Sequence, residues 1–175
     1  MFTVDDLATM PDDGRRYELI DGMLVVSPLP GFRHQKAVMK LLVALEMSCP
    51  DDVEVLVGPF AVRPSPTLEL RPDGLAARRS DLTEDCLPVA PLLAVEVLSH
   101  SSAINDLNNK KAVYERLGVP SYWVVDPGPP SLVAFDLVDG AYRLTTEVQE
   151  DEVFEATQPF PVRIVLAELL GQARE

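Results

Sequence analysis

Residues 92–125, LLAVEVLSHSSAINDLNNKKAVYERLGVPSYWVV, decide the fold. Leu92 to Leu98 is an almost unbroken apolar run of strand length, the pattern of a central strand covered on both faces. From about Ala103 to Leu117 the pattern turns helical and stops at Gly118. Tyr122 to Val125 is a second buried strand, closed by Asp126-Pro127. Strand, helix, strand in this order predicts a parallel crossover unit.

Around this unit the chain reads as further strands and three helices. Thr3 with Asp5, Asp6 and Leu7 marks a short capped helix ending before Pro11. Asp21-Gly22 and Asp139-Gly140 tolerate positive φ and predict two-residue hairpin turns, the first between Tyr17–Ile20 and Met23–Ser27, the second between Leu132–Leu137 and Ala141–Thr145. Phe32 to Met47 places His34, Val38, Leu41 and Leu45 on one helical stripe. Val53–Val62 and Thr67–Leu70 read as strands that Gly58-Pro59, Pro64 and Pro66 bulge or push to an edge. Asp73 is expected at the end of the second, and Gly74–Ala90 as a surface loop or short helix. The tail, with Val162, Ile164, Leu166, Leu169 and Leu170, reads as a strand passing into a closing helix. No internal repeat or linker composition interrupts the chain, so one α/β domain is expected across residues 1–175.

The 175 residues are 47% hydrophobic, within the globular range. No run approaches the roughly 20 apolar residues of a membrane span, and the start MFTVDDLATM is acidic where a signal peptide is basic, so a cytoplasmic location is expected. Cys49 and Cys86 lack metal-ligand spacing and are expected as free thiols. Fifteen Lys and Arg against 28 Asp and Glu give a net charge of −13, which excludes a broadly basic nucleic-acid coat. Any polyanion contact must be local, at Arg15-Arg16, at Arg33, His34, Lys36 and Lys40, at Arg78-Arg79, or at Lys110-Lys111.

Glu96 is the anomaly of the central strand, since a buried unpaired carboxylate costs several kcal/mol or takes up a proton. A metal ion or a buried salt bridge would each compensate it. Projection of the following helix at about 100° per residue puts Asp106, Lys110, Val113, Tyr114 and Leu117 on one stripe, with Leu107. Asn108, Lys111 and Glu115 fall on the opposite side, where Lys111 and Glu115 could form an exposed pair worth about 0.2–0.5 kcal/mol. Lys110 thus faces inward, within reach of Glu96. Asp73 alone could be a turn residue of Arg71-Pro72-Asp73-Gly74. Taken in order, Asp73, Glu96 and Lys110 supply what metal-assisted phosphodiester cleavage needs: hard oxygens for Mg²⁺ (Mn²⁺ as a substitute) and an ammonium to offset charge on phosphorus.

These residues lie in motifs that resemble a known family. Tyr17-Glu18-Leu19-Ile20-Asp21-Gly22, the helix beginning near His34, Arg71-Pro72-Asp73, Glu96-Val97-Leu98-Ser99, the spacing Asp106, Lys110, Tyr114, and the run Gly118 to Pro127 together look like the Uma-two family of restriction-endonuclease-like proteins, within the PD-(D/E)XK superfamily. The resemblance runs from about Thr3 to Leu170. It implies a restriction-endonuclease-like core, a mixed central sheet with flanking helices and extra hairpins. It also implies that Asp73 and Glu96 are metal ligands, with the Val97 main-chain carbonyl as a third.

In the wider superfamily the lysine stands two residues after the second acid, where this chain has Leu98. The resemblance supplies the replacement on the next helix, Lys110. Strand alternation puts Glu96 and Leu98 on one face, so a helix over that face can deliver Lys110 to much the same place. His100 departs from the family pattern, in which proline usually follows the Leu-Ser pair. Glu18 and His34 lie in family-like motifs and are supporting candidates, Glu18 as a further acid and His34 for phosphate contact or proton transfer. Tyr114 and Trp123 read as core aromatics before base-stacking platforms.

Two functions compete. The first is a metal-dependent endonuclease on nucleic acid, DNA ahead of RNA, working as a homo-oligomer, a dimer, because paired sites can cut two strands. The second is a catalytically inactive interaction module in which the same trio is a buried structural network. No helix-turn-helix, zinc finger or other recognition domain is visible.

Overall fold

The computed structural model describes residues 1–99 and 103–170, and of 103–107 and 170 the backbone alone. His100 and the Asp106 side chain lie outside the described residues. In chain order the elements are α1 (Val4–Leu7), β1 (Arg16–Ile20), β2 (Met23–Ser27), α2 (Phe32–Glu46), β3 (Val53–Val57), β4 (Ala61–Ser65), β5 (Leu68–Leu70), β6 (Gly74–Arg78), β7 (Cys86–Leu87), β8 (Leu93–Val97), α3 (Ala103–Leu117), β9 (Ser121–Pro127), β10 (Pro130–Val138), β11 (Ala141–Gln149), β12 (Val153–Ala156), β13 (Val162–Val165) and α4 (Leu166–Leu170). None of the described helices is long and apolar enough to cross a membrane.

A six-stranded mixed sheet, ordered β11-β10-β9-β8-β6-β3, forms the centre. Its parallel pair is β8 and β9, with Leu93 opposite Ser121 and Val97 opposite Val125, and α3 makes the crossover between them. Alternation along β8 divides the core. Leu93, Val95 and Val97 pack toward α2, α4 and the small β12–β13 ribbon, where Trp123 meets Phe154 edge to face at 4.8 Å. Ala94 packs on the opposite side with Val113, Tyr114 and Tyr122, under a second sheet ordered β2-β1-β5-β4-β7. Both hairpin turns form as expected, with positive φ at Asp21 and Gly22 (50° and 75°) and at Asp139 and Gly140 (51° and 78°). The Thr3 N–H and hydroxyl both donate to Asp6 Oδ2, at 2.7 and 2.9 Å, and cap α1.

Three expectations are corrected. Gly74–Ala90 is not a loop throughout: residues 74–78 are β6, paired antiparallel with both β3 and β8 and buried to Ala77. Two alanines and a glycine carry little strand propensity, but burial on both faces favours small side chains there. Asp73 accordingly precedes β6 instead of ending a strand at β5. The stretch from Val53 to Val62 is two strands, β3 and β4, in different sheets. Cys49 and Cys86 are free thiols as expected.

Gly58, just past β3, holds the Asp73 backbone. Its N–H donates to the Asp73 carbonyl at 2.9 Å, and a Cβ there would run into the Pro72 carbonyl and stand 3.2 Å from Asp73 Cα. Gly58→Ala should therefore lower stability by about 1–3 kcal/mol in urea denaturation. An unchanged midpoint would show that this close approach is not a constraint.

Candidate functional site

The central sheet brings two acids to one end of neighbouring strands. The Asp73 N–H donates to the Val95 carbonyl at 3.0 Å, and the Val97 N–H donates back to Asp73 Oδ2 at 2.8 Å, so the Asp73 carboxylate lies against the residue that follows Glu96. Glu96 shares the Ala94 face of β8 and looks toward α3. From α3, Lys110 Nζ donates to Glu96 Oε1 at 3.1 Å, and the Tyr114 hydroxyl reaches the same oxygen at 2.9 Å. Lys110 is 4% exposed, as the helical projection requires. Lys111 instead lies over the Phe135 ring, 3.7 Å from its centroid, and Glu115 accepts from the Tyr142 N–H at 2.6 Å. The expected exposed Lys111–Glu115 pair is replaced by these contacts.

Glu18 joins the cluster from β1. Its Oε1 accepts from Lys110 Nζ at 2.9 Å and from the Arg71 N–H at 2.7 Å, while its buried Oε2 has no hydrogen-bond partner among the described residues. His34 Nε2, on α2, lies 3.1 Å from Asp73 Oδ2. The structure thus unites Asp73, Glu96, Lys110, Glu18, His34 and Tyr114. Trp123 is in the core, away from this cluster.

Sequence reasoning missed Arg16 as a direct partner. Its Nη1 donates to Asp73 Oδ1 at 2.6 Å and to the Arg71 carbonyl at 3.1 Å, and its Nε stands 3.5 Å from Glu18 Oε2. Strand alternation carried the signal, because Arg16 and Glu18 are two apart on β1. Glu69 was missed as well. It sits fully buried between Leu68 and Leu70, the same anomaly as Glu96, and accepts from Arg63 Nε at 2.6 Å and from Arg71 Nε at 2.8 Å.

Three carboxylates, Glu18, Asp73 and Glu96, meet two permanent cations, Arg16 and Lys110, and His34 adds a charge only when protonated. Burial governs the titration of Glu96. Burial, then the charges of Asp73 and Glu18, push Glu96 up to about 7 against the pull of Lys110 and Arg16. Burial would raise Asp73 too, but the His34 hydrogen bond and the Arg16 charge hold it below the usual carboxylate value. Burial depresses the Lys110 ammonium, and Glu96 and Glu18 more than restore it, so it stays charged.

Asp73, Glu96, Val97, Lys110, Arg16 and His34 line one cleft of about 270 Å³. Among the described residues no three His, Cys, Asp or Glu side chains form a ready metal cage. Two carboxylates in a polar cleft do fit a hard, largely hydrated cation such as Mg²⁺, which takes one or two carboxylates and keeps its waters. They do not fit the nitrogen and sulfur set of zinc.

The Arg78-Arg79 pair contributes nothing to this cleft, since Arg78 binds Asp52 at 3.3 Å and Arg79 pairs with Glu54. Arg15, Arg16, Arg71 and Lys110 do border it, paired respectively with Asp13, with Asp73, with Glu69, and with both Glu18 and Glu96.

No curated protein matches the sequence. A crystal structure from Anabaena variabilis ATCC 29413, described as a "putative nuclease belonging to DUF820", superposes with a TM-score of 0.78 at 15% identity, covering 97% of this chain and 98% of its own. At that identity the likeness shows a shared fold. The model of the Uma2 family, described as "Putative restriction endonuclease", matches residues 4–168. The restriction-endonuclease-like core that the family resemblance implied is therefore present, and the chain belongs to the Uma2 family.

Proposed function

We propose that this protein is a divalent-metal-dependent endonuclease that hydrolyses phosphodiester bonds, with DNA as its substrate and Mg²⁺, or Mn²⁺, as its cofactor. One observation carries the reading: two buried carboxylates, Asp73 and Glu96, border one polar cleft, with a buried charged lysine held against Glu96. The family description and the nuclease description of the Anabaena protein support it. Asp73 and Glu96 would hold the cation, with the Val97 carbonyl as a third oxygen. Bound there, a divalent ion would supply Lewis acidity and make a coordinated water more acidic than bulk water.

The remaining work falls to the chain itself. Lys110, fixed between Glu18 and Glu96, presents a positive charge that offsets the charge gathering on phosphorus. Tyr114 holds Glu96 from the helix side, so the carboxylate keeps its orientation. Arg16 anchors Asp73 and, with Arg15 and Arg71, gives a phosphodiester a cationic entry into an otherwise acidic molecule. Cleavage of both strands would need two such sites, for which a homodimer is the simplest assembly.

A second reading has its own observation. Both Asp73 oxygens and Glu96 Oε1 already have partners inside the chain, as a purely structural network would. Isothermal calorimetry separates the two. The nuclease reading expects Mn²⁺ or Mg²⁺ binding that disappears in Asp73→Asn and Glu96→Gln; a folded parent that takes up neither ion supports the structural network. Cleavage of single-stranded, duplex and branched oligonucleotides with each metal then tests activity, with Glu96→Ala as the control.

The lysine assignment is tested on cleavage of the best substrate. Lys110→Met should lose about 10²–10³ in rate, while Lys111→Met, which gives up only a contact with Phe135, should keep the parent rate. Equal rates in both variants at matched folding would remove Lys110 from the mechanism.

A further inference from the structure

A second cavity of about 320 Å³ adjoins the first and shares Leu29, His34, Leu98 and Ser99 with it. Phe32 and Arg33, on the first turn of α2, complete one wall. Phe32 is 81% exposed and Leu29 68%, two uncovered apolar side chains bordering the same cavity where a helix begins beside a polar cleft. The same turn favours an anion. Gly31 provides no capping side chain, the turn holds no acid, and Arg33 adds a charge. His34 is more than nine-tenths buried and lines both cavities, and it uses Nε2 on Asp73 while Nδ1 has no hydrogen-bond partner among the described residues.

We propose that this second cavity is a nucleotide subsite for the residue next to the scissile phosphate: its base stacks on Phe32 and Leu29, and its phosphate meets the α2 amides and Arg33. The proposal rests on the nuclease reading of the adjoining cleft and deepens it. An aromatic face, an arginine and free helix-end amides are the parts of a single-strand binding surface. A stacked base must leave its duplex partner, so the site selects single-stranded or frayed ends over closed duplex.

The test is a titration of the full chain with single-stranded and blunt duplex oligodeoxynucleotides carrying 2-aminopurine, in Ca²⁺, alongside cleavage in Mg²⁺ and Mn²⁺. The parent should bind the single strand more tightly and quench the probe. Phe32→Ala should remove the quench and weaken binding about tenfold, and Phe32→Trp should retain both. Arg33→Ala should weaken binding and flatten its salt dependence. Met47→Ala, exposed at the far end of the same helix, should change neither. If the parent cuts nucleic acid while Phe32→Ala binds and quenches like the parent, the subsite is wrong and the nuclease reading stands. If Phe32→Ala abolishes self-association and leaves oligonucleotide binding intact, the patch is a contact between copies and the subsite is overturned. A parent that neither binds nor cuts any oligonucleotide overturns both.

Discussion

Carboxylates taken out of water must find positive charge or hydrogen-bond donors, or else take up protons, and much of this molecule is arranged around that requirement. Glu18, Glu69, Asp73 and Glu96 are all buried, and each is met by a cation or a backbone amide delivered from a different element. The crossover from β8 through α3 to β9 sets Lys110 over the Glu96 face of the sheet. The antiparallel pairing of β6 with β8 sets Asp73 against Val97. Arg16 on β1 and His34 on α2 close on Asp73 from separate elements. Loss of any of these elements would leave a buried charge without its partner.

The parts of this arrangement legible in the sequence were those marked by a conflict between residue type and surroundings. Glu96 stood out as the one charge in an apolar strand, and Lys110 as a lysine on the apolar side of a helix; periodicity alone oriented both. The hairpins were legible because Asp-Gly pairs suit positive φ. What escaped had weaker local signals. The strand at residues 74–78 hid because glycine and alanine are poor strand formers, and its identity comes from two neighbouring strands distant in sequence. Arg16 was legible only as half of a basic pair open to a polyanion, since its partner Asp73 is far along the chain and only the three-dimensional pairing joins them. Glu69 carried a readable signal, an acid between two leucines, that passed unused.

Electrostatics at two scales point different ways. Taken whole, a chain of net charge −13 repels a polyanion, which argues against tight non-specific binding. At the cleft, Arg15, Arg16, Arg71 and Lys110 share one border, each paired with an acid, while Arg78 and Arg79 pair with Asp52 and Glu54 away from it. Such a distribution favours substrates that enter one mouth over those that coat a surface. Burial is what chiefly pushes Glu96 upward, and a hydrated dication beside it would favour its ionised form.

Whether the cluster accepts a cation is the point from which the functional account follows. Anomalous diffraction from a crystal soaked in Mn²⁺ addresses it without reference to substrate. The account predicts one peak within coordination distance of both Asp73 and Glu96, with Lys110 still beside it. A cleft with no peak, and with Arg16 and Lys110 in unchanged contact with the two acids, would contradict it.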